Sequence, residues 1–541
     1  MEAVVFIEEA NIQEIAPLLR GVACSNREII FGDDGLNESV ACGVPIDPDS
    51  WTDGRFFAVV DVGEKVRVFT DPLGQDTLYI YSREPVRVGG PPLKNWVISN
   101  SFFELASLIN HRGCRLTFAP GVVAAGLVDR GTRFGAQLIS NRTPLQEISV
   151  LPLGCAVEYC KITGQATVVR NCPGDWLVRG DSCLYADRVE AFIHNSVARI
   201  RALADSGFYM SLDLSGGQDS RTIFGLVLRS GIDFSKVEFF SNPRRLEDLE
   251  CAMMVSREYG LSLSRSRASV KSSRGGYDLW KASALGVYLP IYARGTPDCH
   301  SSVLQFHGAS ILSKKFSKKN PVELADYMYR CMPTKEMGSE VREIFIESFR
   351  SIGVNLNDEW ASHLHYINFR SRFHYGRNWA TSCALTLWTP LISQELGKAA
   401  FSLPLKEYRN LAPWRDVMMA VDNRLVEIPF DSPEKCFNRE QIESSVFFRK
   451  EIGIPSSLPS VAVYGRPTFP SIRSDDDRPA RVRLEEDLAR LAEPALETGI
   501  FGPDVVKKAQ KALKGSEPVS RSGRLAALVI SAGTFASLAT G

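Results

Sequence analysis

Residues 209–221 constrain the fold of this chain more than any other stretch. Residues 209–214 predict a buried strand, and the apolar run 222–228 predicts a packed helix that ends at Gly231. Between them lies the turn Ser-Gly-Gly-Gln-Asp-Ser, residues 215–220. A strand, a glycine-rich turn and a helix in this order predict an α/β unit that aims backbone N–H groups and a positive helix end at an anion.

The residue types in this turn suit a phosphate. Gly216 and Gly217 let the backbone approach a phosphate directly, and Ser215 and Ser220 add hydroxyl donors. Asp219 would repel a phosphate unless Mg²⁺ lay between them, which is how hard cations are usually held near phosphates. The alternative interpretation is an ordinary glycine turn in an α/β domain.

The complete Ser-Gly-Gly-x-Asp-Ser sequence, placed after a strand, resembles the pyrophosphate-binding loop of the ATP pyrophosphatases. Within them it is most similar to the asparagine synthetase family, which includes β-lactam synthetase and the lasso-peptide cyclases. The resemblance implies an ATP-dependent, AMP-forming ligase that activates a carboxylate as an acyl-adenylate and forms an amide. It also implies ATP and Mg²⁺ as cofactors, with Asp219 as the metal ligand. The implied nucleotide-binding residues are Ser215, Gly216, Gly217, Asp219, Ser220, Arg221 and Gly308.

Arg221 departs from the family pattern, which usually has a small residue at this position. It would either add a phosphate contact or pair with a structural carboxylate. The following segment 246–259 predicts a helix that carries Asp248 and Ala252, resembling an acid-x-x-x-Ala helix of the family.

The third predicted strand, 302–308, is where the resemblance weakens. The family continues into a second glycine loop with two acids, whereas this chain has His307, Gly308 and then Lys314 and Lys315. The two lysines either bind phosphate directly or form a solvated basic turn. His307 either contacts the nucleotide or is structural.

The front of the chain, residues 1–170, predicts a β-rich domain that resembles the glutamine-amidotransferase domain of asparagine synthetase. A working domain of that type uses an N-terminal Cys as its nucleophile and the free amine as its base. Position 2 is Glu2, and the first cysteine is Cys24. We therefore expect no glutaminase activity, a departure that β-lactam synthetase and the lasso cyclases share.

The resemblance implies an α/β fold, α+β over the whole chain, with two domains. Residues 1–170 would form an N-terminal-hydrolase-type β sandwich. Residues 184–541 would form an ATP-pyrophosphatase domain with a parallel sheet, of the adenine-nucleotide α-hydrolase type, and a helical C-terminal part. The Pro- and Gly-rich stretch 170–183 predicts a linker, and 455–482 predicts a loop or partly disordered segment.

Charge and hydropathy exclude several classes of function. Lys plus Arg equals Asp plus Glu at 63 each, so there is no basic field for nucleic acid. No apolar run reaches the length of a membrane helix. The first residues are acidic and do not have the pattern of a signal peptide. The 12 cysteines show no zinc spacing, which favours reduced thiols and a cytoplasmic location.

Three functional hypotheses remain open from the sequence. The first is an amide ligase that joins a small-molecule or peptide carboxylate to an amine or ammonia. The second is a non-catalytic nucleotide-binding or scaffold descendant, and the third is an amidotransferase supplied with ammonia by another subunit. The sequence leaves a homodimer open and gives no secure match for residues that assist amide formation. Tyr366, His374 and Lys398 lie only in the corresponding region.

Overall fold

The structure is a computed structural model, and every structural statement below concerns the residues it describes. These are residues 4–128, 135–171, 182–264, 276–291, 303–312, 320–373, 379, 382–383, 385–450, 458–469, 476, 478–514 and 523–540. Glu2, His374, Lys314 and Lys315, and most of the predicted linker, lie outside them.

Strands dominate the front of the described chain and helices its later part, which confirms mixed α/β content. The strands in chain order are β1 Phe6–Glu8, β2 Leu18–Cys24, β3 Glu28–Phe31, β4 Asp53–Val62, β5 Lys65–Thr70, β6 Tyr79–Tyr81, β7 Val97–Ser99, β8 Ile148–Val150, β9 Cys155–Cys160, β10 Gln165–Arg170, β11 Tyr209–Asp213, β12 Val237–Phe240, β13 Leu263–Ser264, β14 Val303–Phe306, β15 Thr386–Trp388 and β16 Ala462–Tyr464.

The helices concentrate in the second half. The α-helices are Gly32–Ala41, Phe102–His111, Pro120–Ala124, Tyr185–Asp205, Gln218–Ser230, Leu246–Tyr259, Gly276–Ala284, Pro321–Arg330, Lys335–Ser351, Ala361–His365, Gln394–Ser402, Leu405–Arg409, Ala412–Val421, Arg424–Glu427, Arg439–Glu443, Ala480–Glu497, Pro503–Lys514 and Arg524–Thr540. A π-helix spans Tyr366–Ser371, and short 3₁₀ helices span Pro48–Ser50, Ala125–Leu127, Ser182–Leu184, Phe234–Lys236 and Pro433–Lys435.

The front of the chain forms two sheets that share one apolar core. A seven-stranded sheet has the order β10-β9-β5-β4-β2-β3-β16, and a four-stranded antiparallel sheet has the order β1-β7-β6-β8. Phe57 and Val59 of β4 belong to the same buried cluster as Ile80 of β6 and Ile98 of β7. The two sheets therefore pack through a shared apolar cluster as a β sandwich.

The strand β16 corrects the expectation that residues 455–482 form a loop. Ala462–Tyr464 pairs parallel with β3, with Ala462 opposite Glu28 and Tyr464 opposite Ile30. Three residues carry too short a pattern to be recognised in a Pro- and Ser-rich stretch. The open edge of β3 supplies the hydrogen bonds that make this segment a strand.

A five-stranded sheet, β13-β12-β11-β14-β15, is parallel throughout and has β11 at its centre. The helices Tyr185–Asp205, Gln218–Ser230 and Ala412–Val421 pack on one another and contribute to the apolar core of this sheet. That core also includes Val22 and Phe31 of the seven-stranded sheet. The parallel sheet and its helices confirm that part of the sequence-based expectation.

Charged groups also join the two parts of the chain. Arg199, from the helix before β11, makes a buried ion pair with Asp53 of β4 at 2.6 Å. Its Nε donates to the carbonyl of Ser25 at 3.2 Å.

A second apolar cluster joins the C-terminal helices 480–497, 503–514 and 524–540 to helix 102–111 at the front. The C-terminal helices therefore pack against the front of the chain.

Two histidines are buried in the helical region. The Nε2 of His365 lies 3.1 Å from the carbonyl of Ile139 and 2.9 Å from the hydroxyl of Ser348, and the ring packs against Phe349. Burial lowers the pKa values of both His363 and His365 to about 3, because the charged imidazolium would lose its hydration. These side chains are therefore neutral in the folded protein at neutral pH.

We expect this burial to make the protein less stable as pH falls below 6.5. A histidine with an ordinary pKa when unfolded and a lowered pKa when folded stabilises the fold above 6.5 and loses that contribution at lower pH. One unit below 6.5 the loss is about 1.4 kcal/mol for each histidine. His365→Gln should remove one such contribution, measured as the change in urea-unfolding free energy between pH 7.0 and 5.5.

The matched control for this measurement is His111→Gln, since His111 is exposed at the end of helix 102–111. It should keep the pH dependence of the unaltered protein. An equal pH dependence for His365→Gln and the unaltered protein would contradict the assignment.

Candidate functional site

The glycine-rich turn lies at the carboxyl end of the central strand of the parallel sheet. Strand β11 ends at Asp213, and the N–H of Leu214 donates to the carbonyl of Phe240 at 2.8 Å. The helix Gln218–Ser230 begins inside the turn, with Gly217 as its N-cap. It ends at Gly231 with φ of 65°, as the sequence predicted. Residues 215–220, here called the glycine loop, thus lie where parallel α/β sheets usually bind ligands.

Two serine hydroxyls close the glycine loop on itself. The Oγ atoms of Ser215 and Ser220 are 2.9 Å apart, and Ser220 Oγ accepts from the N–H of Ser215 at 3.1 Å. The N–H of Gly217 donates to Ser215 Oγ at 3.2 Å. The structure therefore brings both predicted hydroxyls and a loop amide to one point at the start of a helix.

A carboxylate from the next helix occupies an amide of the glycine loop. The N–H of Gly216 donates to Asp248 Oδ1 at 2.9 Å, and Arg245 lies 3.4 Å from the other carboxylate oxygen. Asp248 was predicted on the acid-bearing helix 246–259, whose bounds agree with the sequence-based ones. The contact shows that the N–H of Gly216 can bind an oxyanion.

A second acid and a lysine cover the glycine loop, and sequence reasoning missed both. The N–H of Asp431 donates to the carbonyl of Gly216 at 3.1 Å, and Lys435 Nζ lies 2.6 and 2.7 Å from the two Asp431 carboxylate oxygens. The Gln218 side chain donates to the carbonyl of Lys435 at 3.0 Å. The sequence signal was an Asp and a Lys four residues apart, which alone indicates only a local ion pair.

Arg221 lies behind the glycine loop rather than facing its opening. Its guanidinium is 1% exposed and donates to the carbonyls of Leu425, Ile428 and Pro429. It also stacks on Phe430, with Cζ 3.8 Å from the ring centroid. Burial lowers the pKa of Arg221 to about 10, which leaves it charged at neutral pH.

This arrangement replaces both sequence-based interpretations of Arg221. The guanidinium binds carbonyls at and just after the C-terminal end of the short helix Arg424–Glu427, and no carboxylate among the described residues forms an ion pair with it. The negative end of a helix favours a cation there. Arg221 therefore holds the segment 425–430 against the loop helix.

The segment after β14 runs beside Asp219. A Cβ placed on Gly308 would lie 3.2 Å from the Cβ of Asp219, so the two residues are neighbours as the sequence predicted. The N–H of His307 donates to the carbonyl of Trp388 at 2.8 Å, and its Nδ1 accepts from Ala309 at 3.2 Å. These bonds favour the structural interpretation of His307.

Two of the three residues proposed from the helical region lie in the described part of the chain. Tyr366 is 1% exposed in the π-helix, and Lys398 pairs with Glu395 at 2.8 Å. His374 lies outside the described residues. The structure therefore adds no support for these three as groups that assist amide formation.

The acids near the glycine loop suit a nucleotide-linked cation rather than an all-protein cage. Within the described ranges no cluster of three or more His, Cys, Asp or Glu side chains is arranged to hold a metal. Mg²⁺ in nucleotide sites is usually held by one or two carboxylates together with phosphates and water. Asp219 fits that requirement as a single ligand.

Comparison of the sequence with protein-family models gave no match, and comparison with curated proteins gave no significant match. None of the described helices combines the length and the apolar character needed to cross a membrane. The functional argument therefore rests on the residues and their geometry.

Close packing at Gly216 yields a direct test of the loop geometry. A Cβ at position 216 would lie 2.3 Å from the Cβ of Asp431, whereas one at position 217 meets only Ser215 Oγ at 3.4 Å. We expect Gly216→Ala to cost about 1–3 kcal/mol, because the segment at Asp431 must move. Differential scanning calorimetry of the purified protein would measure this loss.

The control is Gly217→Ser, since serine is a favourable residue at a helix N-cap. We expect a change of less than about 1 kcal/mol for it. Equal stability of the two variants would show that segment 428–431 does not pack on Gly216 as described.

Proposed function

We propose that the chain is an ATP-dependent, AMP-forming amide ligase related to the asparagine synthetases. The single observation that carries this proposal is the glycine loop at the carboxyl end of β11, where Ser215, Ser220 and the loop amides converge at the start of helix Gln218–Ser230. This arrangement suits the β- and γ-phosphates of ATP.

A bound phosphate would replace contacts that the glycine loop makes with other parts of the protein. The Asp248 carboxylate on the N–H of Gly216 is an anion in the position that a phosphate oxygen would take. Lys435 pairs with Asp431, whose N–H donates to the carbonyl of Gly216. The positive charge of Lys435 would attract the phosphates. Asp248 lies in a helix and Lys435 in a short 3₁₀ helix, so neither side chain belongs to a strand of the sheet.

In the proposed site Asp219 would hold Mg²⁺ together with the phosphates, and the bound cation would neutralise charge as pyrophosphate leaves. The chain's own residues position the substrate. Ser215, Gly217 and Ser220 bind the phosphate oxygens, and the helix start stabilises their charge. Arg221 keeps the segment that carries Asp431 and Lys435 in place.

The proposed reaction has two steps. A substrate carboxylate attacks the α-phosphorus of ATP, which forms an acyl-adenylate and releases pyrophosphate. An amine or ammonia then attacks the acyl carbon, which forms the amide and releases AMP. The enzyme contributes mainly positioning and electrostatic stabilisation in both steps.

The front β sandwich would take no catalytic part in this proposal. Its two packed sheets would suit an N-terminal-hydrolase-type domain. Cys24, the first cysteine, is buried, and burial raises the pKa of its thiol to about 12, which opposes a nucleophilic thiolate. The amine would therefore come from solution or from another protein.

The alternative of a non-catalytic descendant has one observation in its favour. Asp248 and the Asp431–Lys435 pair already satisfy groups that a nucleotide would bind. In that case the glycine loop would be a self-contained structural turn. Acid-dependent exchange of pyrophosphate into ATP distinguishes the two proposals, because only the ligase forms an acyl-adenylate.

Exchange of radioactive pyrophosphate into ATP, assayed with a panel of candidate acids and Mg²⁺, tests the ligase. We expect acid-dependent exchange by the unaltered protein. Asp219→Ala should abolish exchange and weaken ATP binding in Mg²⁺, with only a small fall in melting temperature, because Asp219 is half-buried in the first turn of the helix.

Asp205→Ala is the control for a lost carboxylate, since Asp205 is exposed at the end of helix Tyr185–Asp205. It should exchange like the unaltered protein. Unchanged ATP binding by Asp219→Ala, combined with a fall of several degrees in melting temperature, would make Asp219 structural and remove the site assignment.

A further inference from the structure

Arg372 carries a buried positive charge whose hydrogen bonds are incomplete. The side chain follows the π-helix Tyr366–Ser371 and is 1% exposed. Its Nη2 donates to the carbonyl of Leu151 at 2.9 Å. Its Nε and Nη1 find no hydrogen-bond partner among the residues that the structure describes. An unsatisfied buried guanidinium is costly, so its presence calls for a ligand.

The neighbouring acids do not neutralise Arg372. The Asp71 carboxylate accepts from the N–H groups of Leu73, Gln75 and Asp76, at 3.1–3.2 Å. Burial raises the pKa of Asp71 to about 7, so it carries less than a full charge at neutral pH. Asp76 pairs with Arg55 at 2.6 Å. Within the described part of the chain, no carboxylate forms an ion pair with Arg372.

A cavity opens beside this guanidinium. It is small and partly open to solvent, and it lies between the front sandwich and helix Gly276–Ala284. Its lining includes Arg372, Tyr79, Asn100, Ser283 and Asp76. Burial raises the pKa of the Tyr79 hydroxyl, which keeps it a neutral hydrogen-bond donor. The walls therefore combine the Arg372 guanidinium and the Asp76 carboxylate with several neutral polar groups.

The fold makes room for the guanidinium at this place. A Cβ on Gly74 would lie 2.6 Å from Arg372 Nε, and Gly74 has φ of 60°, which favours glycine. The turn 71–76 can therefore approach Arg372 only with glycine at position 74.

We propose that this cavity binds a small molecule through a carboxylate that accepts hydrogen bonds from Arg372. A guanidinium prefers an oxyanion, and a carboxylate matches its planar donors. A singly charged group suits the cavity better than a phosphate or sulfate dianion, because Asp76 also lines it. The site shares no residue with the glycine loop, so this proposal does not depend on ATP binding.

Thermal unfolding of the full chain tests this site with acetate, propionate and L-alanine as probes. At constant ionic strength, at least one of them should raise the melting temperature in a saturable way, whereas chloride and sulfate should not. Arg372→Met should lose this response and weaken binding about ten- to a hundredfold by calorimetry, the range expected for a charge-assisted hydrogen bond. Arg350→Met, at an exposed arginine, is the control and should keep the response.

A second variant covers the case in which Arg372→Met does not fold. Ser283→Leu fills the cavity from a half-buried position and leaves Arg372 in place, so it should lose the response and keep ATP affinity. An equal shift with chloride, no shift with any of the three probes, or a full response in either cavity variant would overturn the proposal.

Discussion

The guanidinium of Arg221 is the contact on which the candidate site depends. It lies on the first turns of the loop helix and binds carbonyls of Leu425, Ile428 and Pro429, more than two hundred positions later in the chain. Without it the segment that carries Asp431 would have no charged anchor beside the glycine loop. A buried charge satisfied by backbone carbonyls also fixes one arrangement, because any shift would leave donors unpaired.

The glycine loop then receives one contact from each side. Asp248, from the helix after β12, binds the N–H of Gly216, and Asp431 binds its carbonyl from the segment that Arg221 holds. Gly216 has room for no side chain between them. The amide and the hydroxyls thus lie at the carboxyl end of β11, beside the positive end of a helix.

Local signals explain why much of this could be predicted from the sequence. The strand 209–213, the helix that ends at Gly231 and the helix 246–259 that ends before Gly260 all follow from apolar periodicity and glycine caps. The parallel sheet followed from the alternation of strands and helices. Each of these features is encoded within about twenty residues of sequence.

The contacts that complete the site were not predictable in this way. The positions of Asp431 and Lys435 depend on a pairing between segments more than two hundred residues apart, and the short strand Ala462–Tyr464 depends on an open sheet edge. The role of Arg221 was misjudged because a basic residue next to a phosphate turn suggests a phosphate contact, whereas the fold buries it. Long-range packing decided each case.

A crystal structure grown with Mg²⁺ and a non-hydrolysable ATP analogue tests the central claim most directly. The account predicts phosphate oxygens within about 3.2 Å of Ser215 or Ser220 and of the loop amides. It also predicts that the hydrogen bond between Asp248 and Gly216 is broken and that Asp219 coordinates the metal ion. A nucleotide bound elsewhere, with the bond between Gly216 and Asp248 intact, would contradict it.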